Sequence, residues 1–271
     1  MKVEDTKWLR GFVRMADDGY KMGWHECNGG NLSYRIKEEE INEVRDSLVK
    51  GPWTDTGIEV PELAGEYFLI TGTGKYFRNI ALDPADTLGI IEVNEKGTGY
   101  RTVWGYINGG KPTSELPSHL MNQEIKKRNT GGEYRVVYHA HPSNVIALTF
   151  VLPLKDEVFT RELWGGMTEC PLVIPGGIGV VPWLVPGSME LARATAALMD
   201  KYDAAIWAHH GMFVTGRSFD TAFGLIHTVE KTAGIIIKQM STGRDRLSSI
   251  SPDQFRELAA RFGLPLDERF L

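Results

Sequence analysis

The run LGIIEVNEKGTGYRTVWG (88–105) constrains the fold more than any other stretch. Two segments rich in β-branched and aromatic residues flank a polar turn in which Gly97 and Gly99 supply the backbone freedom. A connection that short cannot cross over a sheet, so the two strands are antiparallel. NGGNLSYRI (28–36) alternates Leu32, Tyr34 and Ile36 as a half-buried strand, and YFLITGTGK (67–75) is a strand running into a glycine-rich turn. Helical periodicity marks the opening MKVEDTKWLRGFVRMADDGY, with Trp8, Leu9, Phe12, Val13 and Ala16 on one face. It returns in TSELPSHLMNQEIKKR (113–128), where Ser114 can cap and Pro117 fits a first turn, and after Pro142, where Ser143 can cap. Further helices are expected over 188–202, over 218–240 and near 252–262, with AAIWAHHGMFVTG (204–216) strand-like. The acidic stretch 37–66, with Pro52 and Pro61, reads as a short helix and loop laid over the surface. Helices thus alternate with hairpin-like strands, with no repeat, low-complexity tract or linker. One α/β domain spanning 1–271, with a mixed sheet covered by helices, is expected.

The bulk properties remove several function classes. A net charge of −5 offers no basic patch for a nucleic acid. No apolar run reaches the roughly 18 residues of a membrane span, and the opening helix lacks the layout of a signal peptide. Cys27 and Cys170, the only cysteines, make neither a disulfide framework nor a thiolate cluster, which suits a reducing, cytoplasmic setting.

The chemistry concentrates in RVVYHAHPSN (135–144). Successive strand side chains point to opposite faces, so Val137, His139 and His141 share one face. Imidazoles about 7 Å apart along that face can both reach one ion. For a lone pair, two satisfied structural histidines would be the favoured reading. Three features favour a metal: Pro142 ends the strand there, AHHGMF adds His209 and His210 at another strand end, and Glu115 stands in a first helical turn just ahead. Three neutral imidazoles with an open position make the ligand set of a catalytic divalent metal, most often zinc. Of the adjacent pair His210 is preferred, because Gly211 would let the backbone come close. His119 reads as a capping or surface residue, His227 and Glu230 as a solvated pair, and His25 is ambiguous.

TGTGK (71–75) lacks the spacing of a Walker loop, and GGIGVVP (176–182) lacks that of a dinucleotide fingerprint. A Gly-Thr-Gly turn can still present amides and the Thr73 hydroxyl to a phosphate. Asn28 and Asn31 flank two glycines, and Thr113 and Ser114 sit at a helix N-terminus; both are further anion contacts. With a metal beside them, they outline a phosphorylated small substrate.

On NGGNLS, TGTGKYFRN, PTSELPSHL, HAHPSNVIALTFVL, TRELWGGMTEC, PWLVPG and HHGMF…TAFGLI, in order over nearly the whole chain, the sequence resembles the class II aldolase family. That family includes fuculose-phosphate aldolase and ribulose-phosphate 4-epimerase. The resemblance implies a three-layer α/β/α sandwich with a largely antiparallel central sheet, and a homotetramer with sites at subunit interfaces. It implies zinc on His139, His141 and His210, Glu115 as the catalytic glutamate, and Glu169 near the aldehyde or in proton handling. Asn28, Asn31, Thr73, Thr113 and Ser114 fall on its phosphate-binding positions. Thr73 stands where relatives have serine, which keeps the hydroxyl; His209 is not carried over, and 37–66 matches least well.

The activity implied is retro-aldol cleavage of a ketose 1-phosphate, with zinc as Lewis acid and Glu115 handling the proton. Length favours the rhamnulose-phosphate-cleaving members over fuculose-phosphate cleavage or pentose-phosphate 4-epimerisation. A non-catalytic, adducin-like interaction domain has no reason to keep three histidines and Glu115 together.

Overall fold

Side-chain alternation along the strands sorts the interior into two layers, one on each face of a single sheet. The computed structural model describes residues 1–271. Its strands are β1 (Asn31–Arg35), β2 (Thr54–Asp55), β3 (Tyr67–Thr71), β4 (Leu88–Val93), β5 (Gly99–Gly105), β6 (Val136–Ala140), β7 (Gly179–Val181), β8 (Ala204–Trp207) and β9 (Gly211–Gly216). The helices are α1 (Lys7–Lys21), α2 (Glu38–Val44), α3 (Pro84–Thr87), α4 (Leu116–Asn129), α5 (Ser143–Leu148), α6 (Asp156–Gly166), α7 (Glu169–Val173), α8 (Met189–Met199), α9 (Phe219–Met240) and α10 (Pro252–Phe262). Strand order is β2-β5-β4-β3-β1-β6-β9-β8-β7. Every pairing is antiparallel except β7 with β8. The sheet is therefore mixed and largely antiparallel, as expected.

Parity decides which helices each strand residue meets. Leu32, Val136, Tyr138, Ile206 and Val214 pack with Leu9 and Phe12 of α1, Leu163 of α6 and Val229 of α9. Val137, Phe213 and Trp207 face the other way, onto Leu191 and Met199 of α8. Phe68, Ile70 and Ile91 meet Leu116 and Leu120 of α4 on that same side. With helices on both faces, β1 is buried along its whole length and not half-exposed. The face toward α4 and α8 also carries a polar stripe: Asn31 pairs with His139 and Ser33 with Val137 across β1 and β6. No helix is long and apolar enough to cross a membrane.

Several local expectations need correction. The 37–66 segment is not merely superficial: β2 extends the sheet on β5, and Val60 and Leu63 are fully buried. Residues 204–216 are two strands, because the chain reverses at His209, whose φ is 61°. Ser114 does not cap α4; Glu115 occupies the cap position and the helix begins after it. Ser143 does not cap α5 either, since it already lies inside the first turn. The second and third amides of α5, those of Asn144 and Val145, donate instead to the carboxylate of Glu230, reached from α9. Glu230 is consequently buried and is not half of a solvated pair, whereas His227 is exposed against Trp24 and Phe223.

Candidate active site

The end of β6, the β8–β9 turn and three loops meet at one end of the sheet. β6 carries His139 to its last turn of hydrogen bonding, and His141 follows on the same face. The left-handed His209 throws His210 toward them, while His209 itself is exposed and bonded to Thr149. Gly211 is needed there, because a Cβ would sit 2.3 Å from the Ala140 carbonyl oxygen. His139 Nε2 lies 3.3 Å from His210 Nε2 and 3.2 Å from His141 Nε2. No other group of three or more potential ligands gathers as these do.

Hydrogen bonding fixes which nitrogens are free. His139 Nδ1–H donates to the Met212 carbonyl at 2.9 Å, and His141 Nδ1–H donates to the Glu26 carboxylate. Both Nε2 atoms are then bare lone pairs facing each other, an arrangement that repels without a cation between them. Metal–nitrogen bonds of about 2.0–2.1 Å in a tetrahedral set give nitrogen–nitrogen edges of about 3.4 Å, close to those seen. Burial and the neighbouring imidazoles hold His139 well below its ordinary range, and burial lowers His210 to about 4, so both are neutral ligands at pH 7. The donor set fits a divalent metal. Glu26, which orients His141, was missed in the sequence because nothing local marks an exposed glutamate as a histidine's partner.

Glu115 lines the same cavity, of about 190 Å³, as the three histidines. Its Oε2 accepts from Asn31 Nδ2 at 2.8 Å and its backbone N–H donates to Thr113 Oγ1. Burial raises its carboxyl above the ordinary range, and the Asn31 bond works against that rise. Asn28, Asn31, Thr73, Thr113 and Ser114 all line this cavity, whose remaining wall is glycine and Pro186. Two main-chain bonds tie their loops together: Thr73 N–H donates to Lys111 O, and Thr113 N–H to Thr71 O. Glu169 stands apart, exposed in the first turn of α7 and outside the cavity.

His25, ambiguous in the sequence, and His119 are both buried supports. His25 stacks on Phe77, bonds Tyr138 and donates to Gly29 O, pinning the Asn28–Gly30 loop; a Cβ on Gly30, at φ 79°, would fall 2.4 Å from its ring. His119 is neither cap nor surface residue: it is fully buried between Ser33 and Asn31. Burial lowers both to about 3.

An imidazole triad, buried at His139 and half-buried at His141 and His210, beside a buried carboxylate and a hydroxyl-lined cradle is the layout of a metal-dependent lyase, here on one sheet with helices on both faces. Residues 10–237 match the Class II Aldolase and Adducin N-terminal domain family, and the chain belongs to it. Among curated relatives, the rhamnulose-1-phosphate aldolase of Mannheimia succiniciproducens is 45% identical over 267 residues, 98% of each chain. That of Klebsiella pneumoniae subsp. pneumoniae is 41% identical, covering 97% of this chain and 95% of its own. Among solved structures, a sugar-phosphate aldolase from Thermotoga maritima superposes with a TM-score of 0.76 at 27% identity, over 89% of this chain and 98% of its own.

Proposed function

We propose that this chain is a zinc-dependent aldehyde-lyase that cleaves L-rhamnulose 1-phosphate to dihydroxyacetone phosphate and L-lactaldehyde, in cytoplasmic L-rhamnose breakdown. The observation that carries the reading is near-full-length similarity to rhamnulose-1-phosphate aldolases at 40–45% identity. The converging histidines and the buried Glu115 support it. Residues 1–271 act as one catalytic domain.

His139, His141 and His210 would hold the zinc, which when bound would supply Lewis-acid polarisation of the ketose carbonyl. Met212 and Glu26 keep the ring orientations that leave Nε2 free. The Thr73, Thr113 and Ser114 hydroxyls with the Asn28 and Asn31 amides grip the phosphate, which fixes the carbon chain across the mouth of the triad. As the C3–C4 bond breaks, its electron pair stays with C3 and the C4 hydroxyl gives up its proton. Glu115 then delivers a proton to C3, and in the reverse direction removes one from the hydroxymethyl carbon of dihydroxyacetone phosphate. A carboxyl raised by burial is suited to both halves of that exchange near neutral pH. Glu169 lies outside this chain's cavity; its role at the aldehyde end rests on the family likeness and would be filled from a neighbouring copy in a homotetramer.

A coupled assay for dihydroxyacetone phosphate release tests the reading. L-Rhamnulose 1-phosphate should be turned over in preference to L-fuculose 1-phosphate, chelation should abolish turnover, and zinc should restore it. Preference for the fuculose substrate, or turnover that survives complete metal removal, would overturn it.

A further inference from the structure

We propose that His119 is a positioning residue for the proton chemistry, orienting Glu115 through the side-chain amide of Asn31. The inference rests on the reading of Glu115 as the group that moves the proton. Four side chains from α4 and β1 form a one-way hydrogen-bond series that ends on Glu115. Gln123 Nε2–H donates to Ser33 Oγ at 3.4 Å, and the Ser33 hydroxyl donates to His119 Nδ1 at 2.7 Å. His119 Nε2–H donates to Asn31 Oδ1, and Asn31 Nδ2–H donates to Glu115 Oε2 at 2.8 Å. His119 and Ser33 are wholly buried, and Asn31 and Glu115 nearly so, which leaves bulk water little access to the series.

Direction is what the arrangement secures. Asn31 sits in β1 paired to His139, so its main chain cannot shift; only its amide can rotate. Rotated half a turn, the amide would set Oδ1 against the Glu115 carboxylate, acceptor against acceptor. His119 forbids that rotation, because its Nε2–H needs Oδ1 and its Nδ1 is occupied by Ser33. An apolar filling at this place in the core would avoid the desolvation of so many polar groups. A buried imidazole with both nitrogens committed serves orientation better than bulk.

The test compares two amide substitutions in the zinc-loaded enzyme. A glutamine amide nitrogen reaches the place of Nε2 and an asparagine amide nitrogen only that of Nδ1, so H119Q keeps the donor to Asn31 and H119N loses it. The readouts are kcat and KM for L-rhamnulose 1-phosphate, metal content, and solvent-deuterium exchange into dihydroxyacetone phosphate without aldehyde. H119N should keep its metal and its KM while kcat and exchange fall about 10- to 100-fold. H119Q should stay within about fivefold of the parent, a small remainder beside the loss that an absent outer partner brings. Exchange and kcat unaltered in metal-replete H119N overturn the proposal, as does a loss confined to KM or one equal in both variants. Should H119N fail to fold, ¹⁵N-histidine NMR of the parent decides: His119 must be the neutral Nε2–H tautomer, and an Nδ1–H or charged ring refutes the series. A parent enzyme that exchanges dihydroxyacetone phosphate but does not cleave rhamnulose phosphate defeats the substrate assignment and leaves the positioning role standing.

Discussion

Replacing Glu230 tests whether the end of the strand that carries His139 is held from a distant helix. The carboxylate, 6% exposed, accepts from Asn144 N–H at 3.1 Å, Asn144 Nδ2 at 2.7 Å and Val145 N–H at 3.0 Å. It does what an N-cap side chain does for α5, whose own flanking residue is Pro142 and offers no acceptor. Glu230→Ala removes all three bonds at once. Loss of a cap costs about 1–2 kcal/mol. Orphaning the Asn144 amide adds about 1 kcal/mol. Bonds to a full charge would suggest more, but burial raises the Glu230 carboxyl, so its own desolvation offsets part of their strength. A net loss of about 2–3 kcal/mol is expected.

Urea unfolding of the zinc-stripped protein reads this directly, as a lower midpoint with an unchanged slope, because stripping removes the stabilisation that bound metal adds. Glu230→Gln should fall between, since one amide oxygen still accepts while its NH₂ opposes a backbone donor. Because α5 begins two residues beyond His141, the Ala variant should also release zinc more readily to a chelator. An unchanged midpoint in Glu230→Ala would refute the cap, showing that water satisfies the first turn of α5 equally well.

Three other perturbations separate the roles in the site. Glu115→Gln should bind zinc and fold normally, since an amide oxygen can still accept from Asn31, while turnover drops about 10²- to 10⁴-fold; a nearly active variant removes Glu115 as the proton carrier. His141→Ala should lose both metal and activity, and a full complement of zinc by elemental analysis would show the ligand assignment to be wrong. Acid should destabilise the metal-free protein from about pH 6.5 downward, because His25 and His119 are lowered to about 3, His210 to about 4 and His139 well below its ordinary range when folded, while the unfolded chain takes up all four protons. Their joint slope is up to about 5.4 kcal/mol per pH unit. The raised carboxyls of Glu115 and Glu230 work the opposite way, since the folded protein keeps their protons longer, and they blunt the slope as pH falls toward their ordinary range. Stability independent of pH between 6.5 and 5 would show that these histidines titrate freely.

What the sequence disclosed about this site follows the range of each signal. The period of two along RVVYHAH is local, so it placed His139 and His141 on one face before any contact was known. The hairpin at 88–105 was legible for the same reason, and its antiparallel pairing extends through most of the sheet. The break between β8 and β9 was not legible, because AAIWA and MFVTG both read as strand with no proline or Asn-Gly pair between them, and a single left-handed histidine turns the chain. The supporting groups were obscured by a different cause. Glu26 meets His141 across 115 residues and Glu230 meets Asn144 across 86, and no periodicity within one element reports on the other. His119 shows the limit most clearly. It lies one helical turn from Glu115 in sequence, and its helical position reads as a capping or surface one. Glu115 instead sits at the cap, with φ −90° and ψ 16°, so its side chain and that of His119 reach opposite ends of the same Asn31 amide. The residue whose backbone leaves the helix is the one that enters the cavity, and the residue that stays in the helix is the one that aims it.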